Sequence, residues 1–143
     1  MSAGHEKTGG GSGGCLCGAV RYAVSGGLRP VVFCHCGQCR RAHGHFGAYS
    51  AARRADVAIV GEDALAWFES SPGVRRGFCR RCGSKLFWDV AARGSISISA
   101  GSLDAPSGLK SSAHIFVADK GGYYGIGDGL PQHPGGLHPA GLP

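Results

Sequence analysis

The sequence GFCRRCG at residues 77–83 contains two cysteines, Cys79 and Cys82, followed by a glycine. A C-x-x-C turn brings its two sulfur atoms just under about 4 Å apart, so that both can bind one tetrahedral zinc ion through bonds of about 2.3 Å. The glycine permits the positive φ that such a turn often requires. A second pair, Cys15 and Cys17, lies in GGCLCG at residues 13–18. Together the two pairs predict a four-sulfur structural zinc site that joins distant parts of the chain.

A third cluster, CHCGQC at residues 34–39, supplies Cys34, Cys36 and Cys39. If the other two clusters close on each other, this one has three sulfur ligands and an open fourth position, as in a catalytic zinc site. A substrate thiol bound at the open position would lose its proton, which favours sulfur chemistry. We therefore take these three cysteines as candidate catalytic residues and expect two zinc ions per chain. The ion with three protein ligands should be released more readily and could be absent from isolated protein.

Other assignments of the ligands remain open at this point. A histidine could close the three-cysteine site and leave no catalyst, the candidates being His43, His114 and His133. A different partition would combine Cys79 and Cys82 with the middle cluster and leave the first pair without metal. His35 lies between two predicted ligands and is expected to point away from the metal. A complete disulfide framework is disfavoured, because the chain has 7 cysteines, an odd number.

Composition indicates one domain with a thin core. The chain has 143 residues, of which 27 are glycine and 8% are aromatic, so large side chains for an interior are scarce. Metal sites are therefore expected to help hold the fold. The net charge of +6 would suit a polyanion, but lysine and arginine are interspersed rather than gathered in blocks. Thiolate ligation also lowers the net charge, so nucleic-acid binding is disfavoured.

The chain contains neither the apolar run of a signal peptide nor a stretch near the roughly 18 apolar residues that a membrane span needs. We therefore expect no membrane association and a reducing, cytoplasmic location, where thiols serve more often as metal ligands or catalysts than as disulfides.

The order of segments predicts a mostly β domain. Gly- and Ser-rich residues 1–14 and Pro- and Gly-rich residues 134–143 are expected to be flexible tails, with a zinc-binding domain at residues 15–133. Sequence SISISA from Ser95 alternates strictly, as in a half-buried strand. The one helix is expected near Gln38 to Gly44. The predicted strands are Ala19–Val24, Val31–Phe33, Ala48–Ala51, Val57–Val60, Leu65–Phe68, Leu86–Val90, Ser95–Ala100 and His114–Val117.

Four stretches, GGCLCGAVRY from Gly13, CHCGQCRRAHG from Cys34, GFCRRCGSKLFW from Gly77 and AGSLD from Ala100, resemble the glutathione-dependent formaldehyde-activating enzyme family, which includes centromere protein V. The resemblance runs from about Gly13 to Pro134. It implies a β-tent fold of short antiparallel sheets stapled by a tetrathiolate zinc site, with a second zinc at the three-cysteine cluster. It also implies a carbon–sulfur lyase-type activity, in which formaldehyde and the thiol of glutathione condense to S-hydroxymethylglutathione.

Several further residues are candidates for a substrate site. Tyr123 and Tyr124, in a stretch that resembles the family's C-terminal return toward the second zinc, could wall a pocket or simply cover the end of a small core. His43 and His45 could move protons near that zinc. Arginines beside the clusters could pair with the carboxylates of glutathione, or remain solvated; these are Arg40, Arg41, Arg80 and Arg81.

The leading hypothesis is thus an enzyme that joins a small thiol to a carbon electrophile. A non-catalytic zinc module that binds a macromolecule is the alternative, as the centromere relative suggests. A third possibility is a redox or metal-handling protein in which the middle cluster loses zinc and oxidises.

Overall fold

A computed structural model of the protein describes residues 9–137. Within this range the chain forms ten strands and one α-helix. The strands and the helix are β1 Gly11–Gly14, β2 Arg21–Val24, β3 Val31–Cys34, α1 Gly37–His43, β4 Gly47–Arg53, β5 Val57–Val60, β6 Leu65–Ser71, β7 Val74–Cys79, β8 Lys85–Val90, β9 Ser95–Ser99 and β10 Ser111–Ile115. Short 3₁₀ helices lie at Arg54–Asp56, Glu62–Ala64, Ala100–Ser102 and Val117–Asp119.

The strands form two sheets in the described part of the chain. A three-stranded sheet has the order β1-β2-β5, and a seven-stranded sheet has the order β10-β3-β4-β9-β8-β7-β6. Neighbouring strands are antiparallel except for β3 and β10, which pair in parallel. A parallel pair cannot be closed by a hairpin, and here most of the domain lies between the two strands. The prediction of a mostly β fold of short, largely antiparallel sheets is confirmed.

Side chains from both sheets meet in one hydrophobic core. Tyr22 of the small sheet packs edge-on against Phe87 of the large one, with ring centroids 5.4 Å apart. In β9, Ile96 and Ile98 are buried and the serines between them are only half-buried, as the alternating pattern predicts. Each segment predicted to be a strand contains or overlaps one, and the helix lies where it was expected.

The N-terminal boundary of the domain was placed wrongly. Residues 11–14, assigned to a flexible tail, form β1 and pair with β2. Glycine suits this strand because a Cβ on Gly13 would lie 2.3 Å from both Ser102 O and Tyr22 Oη. Composition therefore suggested a linker where the packing requires residues without side chains. Residues 1–8, the rest of the predicted tail, lie outside the described residues.

The C-terminal boundary also needs correction. Pro134 and Gly135, assigned to a tail, accept backbone hydrogen bonds from Ala118 and Phe116 at 3.3 and 2.8 Å. The predicted last strand also runs too far, because Phe116 adopts φ 55° and ends β10 at Ile115. Residues 138–143 lie outside the described residues.

Strand β7 was not predicted at all. Its sequence, VRRGFC, carries two arginines and a glycine, which obscured the period-2 pattern. Arg76 is nevertheless buried, a placement that matters for the site described below. Among the described residues, no helix is both long and apolar enough to cross a membrane.

The contribution of the core to the stability of the fold can be tested at Ile98, which is fully buried between neighbouring strands. We expect Ile98→Ala to lower the free energy of unfolding by about 2–5 kcal/mol, because it leaves a cavity in a close-packed interior. Urea denaturation of the zinc-loaded protein measures this change. Val60→Ala is the matched control, since Val60 is 70% exposed, and its effect should stay within about 0.5 kcal/mol. Equal losses in the two variants would contradict the assigned core.

Candidate functional site

Four cysteines from two distant parts of the chain converge at one place. Sulfur atoms of Cys15, Cys17, Cys79 and Cys82 all lie within 4.8 Å of one another. Cys17 Sγ is 3.7 Å from Cys15 Sγ and 3.8 Å from Cys79 Sγ, the spacing expected for sulfurs around one tetrahedral ion. This is the grouping that the sequence predicted. The other partition, in which Cys79 and Cys82 join the middle cluster, is wrong.

Backbone turns shape the four-cysteine group. Gly18 and Gly83 follow the two cysteine pairs with φ of 82° and 79°, a conformation in which a side chain would be strained. The amide N–H groups of Val20 and Arg81 point at Cys15 Sγ and Cys79 Sγ at 3.3 and 3.4 Å. Such donors stabilise thiolates and orient them as ligands. The turns are therefore arranged to present sulfur to a cation.

Side-chain contacts add to this arrangement. A hydrogen bond from the hydroxyl of Ser84, at 3.2 Å from Cys82 Sγ, lowers the pKa of the Cys82 thiol to about 5. The same hydroxyl accepts a hydrogen bond from the Leu16 amide at 2.9 Å. Ser84 thereby ties the first cysteine turn to the last one, and it favours the thiolate that a metal requires.

The remaining three cysteines form a second group, whose sulfur atoms also lie within 4.8 Å of one another. Cys34 ends β3, where it pairs with both β4 and β10. Cys36 is the N-cap of α1, and its sulfur accepts a hydrogen bond from the Cys39 amide at 3.2 Å. Cys39 follows in the first turn of the helix. A strand end and a helix start thus fix the three sulfurs relative to each other.

No histidine in residues 9–137 joins either sulfur group. His43 Nε2 instead lies 2.6 Å from Tyr49 Oη, and burial lowers the pKa of His43 to about 4. His114 is occupied by a different set of hydrogen bonds, and His133 donates its backbone amide to His114 O at 2.9 Å. The three-cysteine group therefore has no histidine ligand to close it in this structure.

The three-cysteine group concentrates negative charge on one sulfur. Hydrogen bonds from the thiols of Cys34 and Cys39 lower the pKa of Cys36 to about 2. The same contact with Cys36, together with that of Cys39 and with burial, raises the pKa of Cys34. One thiolate shared among three sulfurs is a donor set that a soft divalent cation such as zinc fits.

A buried arginine lies against this sulfur group. Arg76 of β7 is 8% exposed, and its Nη2 lies 3.7 Å from Cys39 Sγ. Nη2 also donates to Gln38 Oε1 at 2.8 Å, Nε donates to the same oxygen at 3.3 Å, and Nη1 donates to Tyr49 Oη at 3.3 Å. Both acceptors are neutral, so once a bound metal has deprotonated the cysteines, the charge of the sulfur group compensates the guanidinium. Arg76 is not among the predicted site residues, because the sequence of β7 lacks the period-2 pattern of a strand.

A series of hydrogen bonds links four side chains near the three-cysteine group: Asp128, His114, His35 and Tyr124. His114 Nε2 is 2.8 Å from Asp128 Oδ2, His114 Nδ1 is 2.8 Å from His35 Nε2, and His35 Nδ1 is 2.5 Å from Tyr124 Oη. Burial and then the charge of His114 lower the pKa of His35 to about 4. When both rings are neutral, one set of tautomers satisfies all three contacts: His114 donates to the carboxylate, His35 donates to His114, and Tyr124 donates to His35.

These hydrogen bonds decide the orientation of His35, which lies between Cys34 and Cys36 in the sequence. Both ring nitrogens of His35 are engaged and the side chain is buried, so it turns away from the sulfurs as the sequence predicted. The partners of His35 are distant in sequence, and no local pattern pointed to Asp128.

Tyr124 belongs to an aromatic cluster beside the second group. Its ring lies 4.5 Å from that of His45 and 4.8 Å from that of Tyr123, measured between centroids. His45 Nδ1 is 2.7 Å from Tyr123 Oη, and Phe46 packs 4.3 Å from His45. Tyr123 is largely exposed and Tyr124 half-buried. A role for either tyrosine in a substrate pocket, and for His43 or His45 in proton transfer, stays a prediction.

A sequence model of the family described as glutathione-dependent formaldehyde-activating enzyme matches residues 11–119 of the chain. The chain belongs to this family. Its matched segment begins with β1 and includes every cysteine. A solved structure, the crystal structure of a Rhodobacter sphaeroides protein from structural genomics, is similar with a TM-score of 0.58. It is 24% identical and covers 68% of this chain and 91% of its own, and it shows the fold alone. No curated protein matches significantly.

Removal of metal tests the four-cysteine site. We expect a strong chelator to lower the melting temperature of this family member far more than a single surface substitution does, because such a site links two distant parts of a thin-cored domain. Differential scanning calorimetry with and without the chelator, followed by re-addition of zinc, measures the effect. An unchanged melting temperature after complete loss of zinc would contradict a structural role.

The pairing of Arg76 with the sulfur group predicts an effect on metal retention. We expect Arg76→Met to weaken zinc binding at the three-cysteine site by about 10–100-fold, the range typical of groups that contact metal ligands. Competition with a zinc-sensitive dye, monitored as two separate release steps, measures this affinity. Arg53→Met is the matched control, because Arg53 is exposed on β4. Loss of both zinc ions together in Arg76→Met would indicate unfolding instead.

Proposed function

We propose that this chain is a zinc-dependent enzyme that joins a small thiol such as glutathione to a carbon electrophile such as formaldehyde, a carbon–sulfur lyase reaction in the reverse direction. The observation that carries the proposal is the convergence of Cys34, Cys36 and Cys39 without a fourth protein ligand in the described residues. Membership of the family, by its printed description, supports glutathione and formaldehyde as the substrate pair.

Two zinc ions per chain are proposed, one at each sulfur group. Cys15, Cys17, Cys79 and Cys82 would hold the structural ion and Cys34, Cys36 and Cys39 the catalytic one. When bound at the three-cysteine site, zinc would supply an open coordination position that stabilises the thiolate of a substrate. Because three thiolates would leave a bound zinc with net negative charge, such a site would polarise carbonyls poorly, so activation of the thiol is the chemistry it favours.

In the condensation, the substrate sulfur forms a bond to the aldehyde carbon and the carbonyl π bond breaks. The proton lost by the thiol ends on the new hydroxyl oxygen, so no oxidant or reductant is needed. The protein's own side chains would bind the substrate and orient it in the site. Arg40, half-buried on α1 one residue after Cys39, is placed to pair with a substrate carboxylate.

The hydrogen-bonded chain from Asp128 would fix the phenol of Tyr124 beside this site. With both histidine rings neutral, Tyr124 would donate its proton to His35 and its oxygen would present lone pairs to other donors. We propose that it accepts a hydrogen bond from the substrate or from its hydroxymethyl product. The seven cysteines are all free thiols in the structure, which suits the reducing cytoplasm proposed as the site of action.

Replacement of the sulfur of Cys36 by oxygen tests the proposal. In Cys36→Ser the oxygen can still cap α1, since serine is among the best N-cap residues, while a strong zinc ligand is lost. We expect zinc content to fall from two ions per chain to one, and thiol-dependent consumption of formaldehyde to fall to background. Metal analysis and an aldehyde assay on the same sample, with and without glutathione, measure both.

The control is the urea midpoint of Cys36→Ser, which should stay near that of the parent protein because the four-cysteine site is intact. Formaldehyde consumption that persists in this variant, or that does not require thiol in the parent protein, would contradict the proposal.

A further inference from the structure

A cavity of about 490 Å³ lies between α1 and strands β6, β7 and β8. It is distinct from the sulfur groups, since no cysteine in residues 9–137 lines it. Gln38 and Arg76 separate it from Cys39, because both line the cavity while Arg76 also contacts the Cys39 sulfur. Its volume lies within the range of about 300–1,000 Å³ typical of small-molecule sites.

The cavity is lined by cations and by no acidic residue of the described chain. Arg76 is compensated by the sulfur group, but Arg41 and Lys85 form no ion pair with any carboxylate in residues 9–137. Lys85 Nζ contacts Gly83 O at 3.4 Å and lies 5.4 Å from the centroid of the Phe78 ring. Two uncompensated positive charges therefore border this cavity, which favours an anion.

The remaining walls are largely aromatic. Phe78, Phe87 and Tyr49 line the cavity, together with Phe68 from the edge strand β6. Phe68 is 62% exposed, so its ring is available to a ligand in the cavity. These rings offer stacked or edge-on contacts to a flat apolar group.

The lining also contains a polar atom without a partner. Ser70 Oγ is buried and makes no hydrogen bond within the described residues, whereas such atoms are normally satisfied. His43, by contrast, is occupied by Tyr49 and is held neutral by burial, which lowers its pKa to about 4.

We propose that this cavity binds a small aromatic carboxylate, with the ring between the phenylalanine side chains and the carboxylate at Arg41 and Lys85. The site is separate from the thiol-binding site and does not rest on the proposed enzyme activity. Arg76 lines the cavity and also contacts the Cys39 sulfur, so a ligand there would contact a residue that supports the three-cysteine group without binding to the metal.

Phenylacetate is a suitable probe, because it combines one ring with one carboxylate. We expect isothermal titration of the zinc-loaded full chain at low salt to give one phenylacetate site per chain. Phenylacetamide lacks the charge and acetate lacks the ring, so each should bind at least about tenfold more weakly, as expected when a charge-assisted hydrogen bond or an aromatic contact is lost.

Variants of the lining identify the site. Phe68→Ala and the double variant Arg41→Gln/Lys85→Gln should each weaken phenylacetate binding about tenfold or more. Their matched control is Arg53→Gln/Lys110→Gln, which removes two exposed cations elsewhere and should leave the affinity unchanged. Added salt should weaken binding to the parent protein and have little effect on the charge-deleted variant.

Three results would overturn this proposal: no binding of phenylacetate at millimolar concentration, binding that the lining variants do not change, or displacement of phenylacetate by glutathione in direct competition. The last would assign the cavity to the thiol substrate. Cys36→Ser separates this proposal from the proposed enzyme activity, because it should abolish formaldehyde consumption while phenylacetate binding remains.

Discussion

The structure depends on the need to bring four sulfur atoms from distant parts of a thin-cored domain into one tetrahedron. Cys15 and Cys17 follow the first strand, Cys79 ends the seventh and Cys82 follows it, yet all four sulfurs lie within 4.8 Å of one another. This closure sets the small sheet against the large one, so that Tyr22 meets Phe87. A core with few large side chains can then be enough for a stable fold, because a metal bound at the sulfurs contributes folding free energy on the order of 10 kcal/mol.

With the sheets fixed in this way, the second sulfur group occupies the junction of β3 with α1, beside a charged neighbour. Arg76 comes from β7, which is adjacent to β8 and remote from β3 in the strand order. Its side chain reaches across to Gln38 and Cys39. The charge of the sulfur group and the burial of the guanidinium are therefore mutually dependent, since either one alone would be an uncompensated charge inside the domain.

The sequence was sufficient for features that depend on short spacing. Cysteine spacing and adjacent glycines predicted both sulfur groups, and strict alternation predicted β9 with Ile96 and Ile98 inside. It was insufficient for β1, where glycine is required by the closeness of Ser102 and Tyr22 rather than by any local preference, and for β7, where an arginine faces inward.

The hydrogen-bond partners around the three-cysteine group were likewise not predictable from local sequence. His35 and His114 are 79 positions apart, and Asp128 completes their chain from a segment without regular structure. Such partners are decided by the tertiary fold, so local periodicity carries no information about them. His35 itself was an exception, because its position between two ligands restricts which way its ring can turn.

The parallel pairing of β10 with β3 has a consequence for the order in which the two metal sites can form during translation. The last residue of the four-cysteine group, Cys82, emerges from the ribosome before the strand that flanks Cys34, which ends only at Ile115. A nascent chain can therefore complete its structural site while one side of the second site is still uncovered. Metal entry at the three-cysteine group would then precede the docking of the C-terminal segment that carries His114, Tyr124 and Asp128.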